Sequence, residues 1–178
     1  MDKARIDELM RKDSEDAEYA EGISDKVVSE YTKDLDGIMR NINSDIIVRG
    51  DAPDSLISSY FMELTNAMYF IGAKAESLGL FDDISRSNAR LKYSQAYGNA
   101  LLDSASKGKA KPTVAENQLS AEMGSLDETV VNYIYARAYR IVKTKCDSAS
   151  EMIRTLSKIL TKRQADENLS SMSGRISQ

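Results

Sequence analysis

Between Ile23 and Val48 the apolar residues Ile23, Val27, Tyr31, Leu35, Ile38, Ile42 and Ile46 recur at gaps of three or four. That spacing draws one stripe along an amphipathic helix and excludes the alternation of a half-buried strand. Residues 1–22 carry only a weak stripe, Ile6, Leu9 and Met10, among many acids. They predict a loosely docked N-terminal helix, set apart from a helical bundle over 23–168. Arg-Gly-Asp-Ala-Pro-Asp at 49–54 predicts a turn in which Gly50 and Pro53 break the helix and Asp54 caps the next one. A second helix follows from Ser55 to Leu78, with Leu56, Tyr60, Phe61, Leu64, Met68, Ile71 and Leu78 inward and Gly79 as its stop. A third starts near Asp83 or Ser85 and carries Leu91, Tyr93, Tyr97 and Leu101.

After Pro112, the stretch Thr113-Val114-Ala115-Glu116 fits a capping box, in which the Thr hydroxyl and the Glu carboxylate each accept from a free backbone N–H. From there to Asn168 no proline occurs and Gly124 is the only glycine. Met123, Leu126, Val130, Ile134, Ala138, Ile141, Ala149, Met152, Leu156 and Ile159 mark the predicted inner stripe. About 50 residues of helix would run roughly 75 Å at 1.5 Å per residue, unless a break near Gly124 or at Cys146-Asp147-Ser148 divides it. A helix of that length rarely buries its whole stripe within one small subunit, so partner helices from identical copies are expected. Residues 169–178 predict a disordered tail. The fold class is therefore all-α, an elongated bundle of four or five helices with a long C-terminal helix and coiled-coil-like self-association.

Composition narrows the chemistry. The 178 residues include only two prolines and nine glycines, in keeping with long helices, and aromatic content rests on nine tyrosines without a tryptophan. Histidine is absent, which removes imidazole as base, triad member or metal ligand. With Cys146 as the single cysteine, neither a disulfide within the chain nor a zinc site is expected, and the thiol reads as a small packed residue in a reducing compartment. The acidic pairs Asp82-Asp83 and Asp127-Glu128 are adjacent, so their carboxylates diverge on a helix and read as surface charges. Neither enzyme activity nor a cofactor nor a metal is expected. The N-terminus has no apolar segment and no apolar run approaches 18 residues. Those features predict a soluble protein of the (host) cytoplasm, without membrane contact. In that setting Arg49-Gly50-Asp51, which spells an adhesion tripeptide, reads as chance.

Charge changes the picture again. Residues 1–89 hold 10 Lys and Arg against 19 Asp and Glu, a balance of −9, while residues 90–178 hold 14 against 9, a balance of +5. Between Arg137 and Arg163 stand Arg137, Arg140, Lys143, Lys145, Arg154, Lys158, Lys162 and Arg163, with only Asp147 and Glu151 opposing them. Such a run is either the solvated face of a long helix or a surface for a polyanion. The loop Lys-Gly-Lys-Ala-Lys-Pro is open to the same two readings. Lys107, Lys109 and Lys111 among small residues admit close approach of phosphates, or form a soluble hinge. No Walker or dinucleotide-binding pattern occurs. Arg90 and Tyr93 share a helix face, as do Tyr133, Arg137 and Arg140, with Lys143 just beyond. Arginine for phosphate and tyrosine for base stacking is the chemistry of single-strand recognition, and the same tyrosines also suit packing in a bundle.

The segment Ala89-Arg90-Leu91 followed by Tyr93, then a Gly/Lys-rich loop and a long helix with tyrosines, resembles phage recombination mediators of the UvsY type and related short helical phage proteins. The resemblance covers about residues 85–165 and matches a Lys-Ala-Arg-Leu segment associated with single-stranded DNA contact. Asn88 replaces that motif's leading lysine, and Lys92 stands where an acid occurs in the family. The resemblance implies a ring-like homo-oligomer that binds single-stranded DNA through Arg90 and Lys92. It also implies a recombinase and a single-strand-binding protein as partners, and no catalysis. Two other classes fit the same helices: a phage virion or assembly protein, and a small anti-defence module that grips one host protein.

Overall fold

A computed structural model describes residues 3–106 and 112–176, with side chains over 15–104, at 106 and over 112–170. Four α-helices account for almost all of it: α1 (Lys3–Ile42), α2 (Asp54–Ser106), α3 (Val114–Gly124) and α4 (Leu126–Ile176). A π-helical turn, Asn43–Val48, closes α1. Among the described residues there is no strand. The all-α class and the long C-terminal helix follow from the apolar spacing described above.

Several boundaries fall elsewhere. The stretch before residue 23 does not form a separate element, because α1 runs through it without a break. Gly79 does not stop the second helix, and no new helix begins at Asp83 or Ser85. α2 is continuous over 53 residues. The reason lies in packing: a Cβ on Gly79 would stand 3.1 Å from Cε2 of Tyr139, so the glycine makes room for a tyrosine ring against the helix backbone. Asp54 is the first residue of α2 rather than its cap. The carbonyl of Pro53 accepts the Leu56 and Ile57 N–H groups at 3.0 and 3.2 Å. Cys146-Asp147-Ser148 lies within unbroken helix, and α4 continues to Ile176 where a tail was expected from 169, since no proline interrupts it. The break near Gly124 is present. At Ser125 the backbone turns to φ −119° and ψ 11°, and its carbonyl accepts the Thr129 N–H at 3.0 Å to start α4.

Two local signals are realised as read. The capping box is complete: Thr113 Oγ1 accepts from the Glu116 N–H at 3.2 Å, and Glu116 Oε2 accepts from the Thr113 N–H at 2.8 Å. Those bonds to Thr113 hold the Glu116 carboxyl below its ordinary range. Gly50 closes the first turn in the left-handed region, φ +78°, its N–H bonding to the Ile46 carbonyl at 3.1 Å.

The chain divides into two compact units, residues 1–28 with 76–141, and residues 29–75 with 142–178. The second has an aliphatic core. Leu35 and Ile42 of α1, Ile57, Leu64 and Ile71 of α2, and Val142 and Leu156 of α4 are all buried. The first is built differently. Its buried residues include Ala20, Ser24, Asp82, Ser85, Asn117, Ala121, Ser125 and Ala138, with Leu78 and Ile134 the large aliphatics. Small side chains let helices approach closely. A Cβ on Gly124 would lie 2.7 Å from Cβ of Ala96, an overlap that only a backbone shift could relieve. The consequence is inverted patterning. Met123, Leu126 and Val130, three of the residues expected inward, are exposed, and so is Leu91.

Gly124→Ala should therefore destabilise the protein by roughly 1–3 kcal/mol. Adding Ala96→Gly, which removes the opposing methyl, should recover part of the loss despite its own cost of about 1 kcal/mol in a helix. Denaturant unfolding of the two single variants and the double checks this, and strict additivity would contradict it.

Candidate nucleic-acid interface

Arg90 and Tyr93 lie one turn apart on the second half of α2, and the structure places them together. With Ala89, Ser94, Ser125 and Thr129 they line a shallow pocket of about 450 Å³. Arg90 is exposed and Tyr93 half-buried. The three hydroxyls on the pocket wall are turned to their own helices: Ser94 Oγ donates to the Arg90 carbonyl at 3.0 Å, Ser125 Oγ to Ala121 at 2.9 Å, and Thr129 Oγ1 to Ser125 at 2.8 Å. Their protons are thus committed, and the guanidinium of Arg90 is the strong donor. No carboxylate lines this pocket, and among the described residues Arg90 has no ion-pair partner.

The other candidate cations stand apart from it. Lys92 lies on a different face, 3.7 Å from Glu128 Oε1. Lys107, Lys109 and Lys111 fall outside the described residues. Arg137, half-buried on α4, donates to Asp25 Oδ1 at 2.6 Å and has Glu21 Oε1 at 3.8 Å. The hydrogen bond to Asp25 pushes its pKa further above the ordinary arginine value. Tyr133, one turn earlier, is exposed, as are Arg140 and Lys143.

Three cations of the basic run, Arg137, Lys145 and Arg163, pair with carboxylates of the acidic half of the chain. Within the second unit Lys145 Nζ meets Asp36 Oδ2 at 2.5 Å and Thr32 Oγ1 at 3.1 Å. There, too, Arg163 Nη1 donates to Asp54 Oδ1 at 2.7 Å and to the Ala52 carbonyl at 2.6 Å. Arg154 pairs with Glu151 on its own helix at 2.5 Å. A polyanion approaching Arg137, Lys145 or Arg163 has carboxylates to displace.

Sequence spacing gave no hint of a polar node in the first unit. Asn132 Nδ2 donates to Asp82 Oδ1 at 3.2 Å, to the Asp82 carbonyl at 3.3 Å and to Ser85 Oγ at 3.1 Å, while Arg86 Nη2 holds Asp82 Oδ2 at 2.6 Å. It fixes α4 against α2 through a buried carboxylate whose two oxygens are both hydrogen-bonded. Beside it Phe81 and Tyr135 stack at 5.7 Å, part of an apolar groove of about 300 Å³ that also takes in Ile84 and Val131 and is edged by Asp127 and Glu128. These contacts join residues some 50 positions apart, which no local period relates.

Burial, followed by the neighbouring Asp147 charge, pushes the Cys146 thiol up, away from a reactive thiolate. Among the described residues no three His, Cys, Asp or Glu side chains converge as metal ligands. Among the described residues, too, no helix is long and apolar enough to cross a membrane. No protein-family model, curated protein or solved structure matches the chain.

The Arg137–Asp25 pair is largely solvent-accessible on the aspartate side, so its coupling should be small. A double-mutant cycle of Asp25→Asn and Arg137→Gln, read by denaturant unfolding at low salt, should return about 0.2–1 kcal/mol. Raising the salt to about 1 M, where the Debye length falls to about 3 Å, should abolish most of it.

Proposed function

We propose that this protein is a non-catalytic single-stranded DNA-binding protein that acts as a mediator in phage recombination or replication, working with a recombinase and a single-strand-binding protein. The observation that carries the reading is the Arg90–Tyr93 pocket, where a guanidinium without a competing carboxylate stands beside a tyrosine ring in an open hollow. Arginine there neutralises a backbone phosphate, and the tyrosine offers a face to a base. This mode reads strand and backbone rather than base edges. The resemblance of Ala89-Arg90-Leu91 and Tyr93 to the mediator segment points to the same residues. Lys107, Lys109 and Lys111 remain candidate cations from the sequence, and Lys92 contributes only if Glu128 releases it. Arg137 contributes only if Asp25 and Glu21 release it; Arg140 and Lys143 are the next candidates along α4.

A second reading, a virion or assembly protein, draws on a different observation. The first unit turns large apolar side chains outward, as a helix awaiting protein partners does. Co-purification with phage particles, without affinity for oligonucleotides, would decide for it.

Fluorescence anisotropy with a labelled poly-dT oligonucleotide tests the first reading. Binding should weaken steeply with salt, the logarithmic slope following about −0.7 per phosphate neutralised on a single strand. Arg90→Ala should flatten that slope by about one contact's worth. Tyr93→Leu, which keeps the packing and removes the ring, should cost about 1–3 kcal/mol of affinity. Absence of binding at low salt, or binding indifferent to both substitutions, would refute the assignment.

A further inference from the structure

Between α1 and α2 the second unit carries an open cleft of about 460 Å³. Its floor is apolar: Ile71 is buried, Tyr31 and Ile38 are half-buried, and Phe70 stands 59% exposed along one wall. Tyr69 braces Phe70 edge to face, with ring centroids 5.4 Å apart. The α2 wall runs from Glu63 to Lys74, roughly 16 Å at 1.5 Å per residue, or about three helical turns. Among the described residues only α1 and α2 line the cleft. Within the same unit α4 engages α1 elsewhere, through Lys145 on Thr32 and Asp36.

We propose that this cleft docks a basic amphipathic helix of a protein partner. An apolar side chain of that helix sits between Tyr31, Ile38 and Phe70, and its lysines or arginines meet carboxylates at the rim. Charge chooses this occupant. Glu30 and Asp34 are exposed one turn apart on α1, and among the described residues neither forms an ion pair. That holds although Lys26 and Lys33 lie within four residues of Glu30. On the opposite wall Glu63 accepts from Ser59 Oγ at 3.0 Å, a neutral donor that leaves its charge in place. Lys74 is the one base in the lining, so three carboxylates face a single ammonium. Such a rim repels a polyanion. A bare divalent ion finds no group of three acids among the described residues. A polyamine would meet the carboxylates but leave Phe70 and Ile38 in water. A helix carrying both kinds of side chain satisfies rim and floor together, and a third helix laid between two packed ones suits the groove's shape.

The cleft does not depend on DNA binding, and its test contains no nucleic acid. The probe is a fluorescently labelled helical peptide built of Lys-Leu-Leu-Lys repeats, titrated with the full chain and followed by anisotropy at low salt. It should bind, and binding should weaken as salt screens the rim. Glu30→Lys with Asp34→Lys should lower affinity by about tenfold or more. Phe70→Ser, which removes the aromatic wall but no charge, should lower it by about tenfold. Asp166→Lys, the reversal of an exposed acid on α4 outside the cleft, should leave it unchanged. Circular dichroism should show the same helix content in all variants, since each altered side chain is exposed. A peptide of equal charge with alanine in place of leucine should bind at least about tenfold more weakly. Equal binding of the two peptides would reduce the cleft to a diffuse counter-ion surface and overturn the proposal. So would absence of binding at low salt, or binding indifferent to Phe70→Ser or to the paired charge reversal.

Discussion

In the first unit, helices meet through side chains too small to hold them apart. Gly124 lies against Ala96, Gly79 admits the Tyr139 ring, and Ala121 and Ser125 fill the remaining interface. Much else follows from that closeness. Backbones that approach to this degree leave little room for leucine or methionine between them, so the large apolar residues of α3 and the start of α4 are displaced to the outside. Polar groups trapped inside need partners: the Asn132, Asp82, Ser85 and Arg86 cluster has them, whereas Ser24 Oγ and Asn117 Oδ1 are buried without a hydrogen bond. The second unit obeys the more usual rule, with Leu35, Ile42, Leu64 and Leu156 excluding water from a conventional aliphatic core.

Electrostatics follows a comparable logic. In sequence the acids and bases are segregated, which suggests a polyanion surface on the basic half. In the folded chain α1 and the start of α2 bring carboxylates to Arg137, Lys145 and Arg163. Each exposed pair is weak on its own, yet a polyanion at these three cations has carboxylates to displace. Arg90 is exposed and lines a pocket that holds no carboxylate. The functional reading therefore moves from a broad basic face on α4 to a compact pocket on α2.

The candidate site was partly legible. Arg90 and Tyr93 share a face by helical spacing alone, and the structure keeps them together in one pocket. The neighbours that complete the pocket, Ser125 and Thr129, lie more than 30 residues away, and only packing brings them there. Gly79 shows the limit most sharply. In sequence a glycine after Leu78 reads as a helix stop, but its meaning is set by Tyr139, 60 positions on, whose ring needs the missing Cβ. Arg137 was visible as a member of a basic and aromatic strip, whereas its carboxylate partners on α1 were not.

The sequence by itself determined that the protein is helical, where the turn at Gly50 falls, and that a capping box begins a helix after Thr113. These depend on interactions within a few residues: i to i+4 hydrogen bonds, a left-handed glycine, a side chain reaching its neighbour's N–H. Only the tertiary structure decided which side of α3 and α4 faces inward, which cations are compensated, and that α2 continues through Gly79. Those outcomes turn on how closely two distant helices approach and on which charges that approach brings together, and no periodicity along one helix encodes the surface of another.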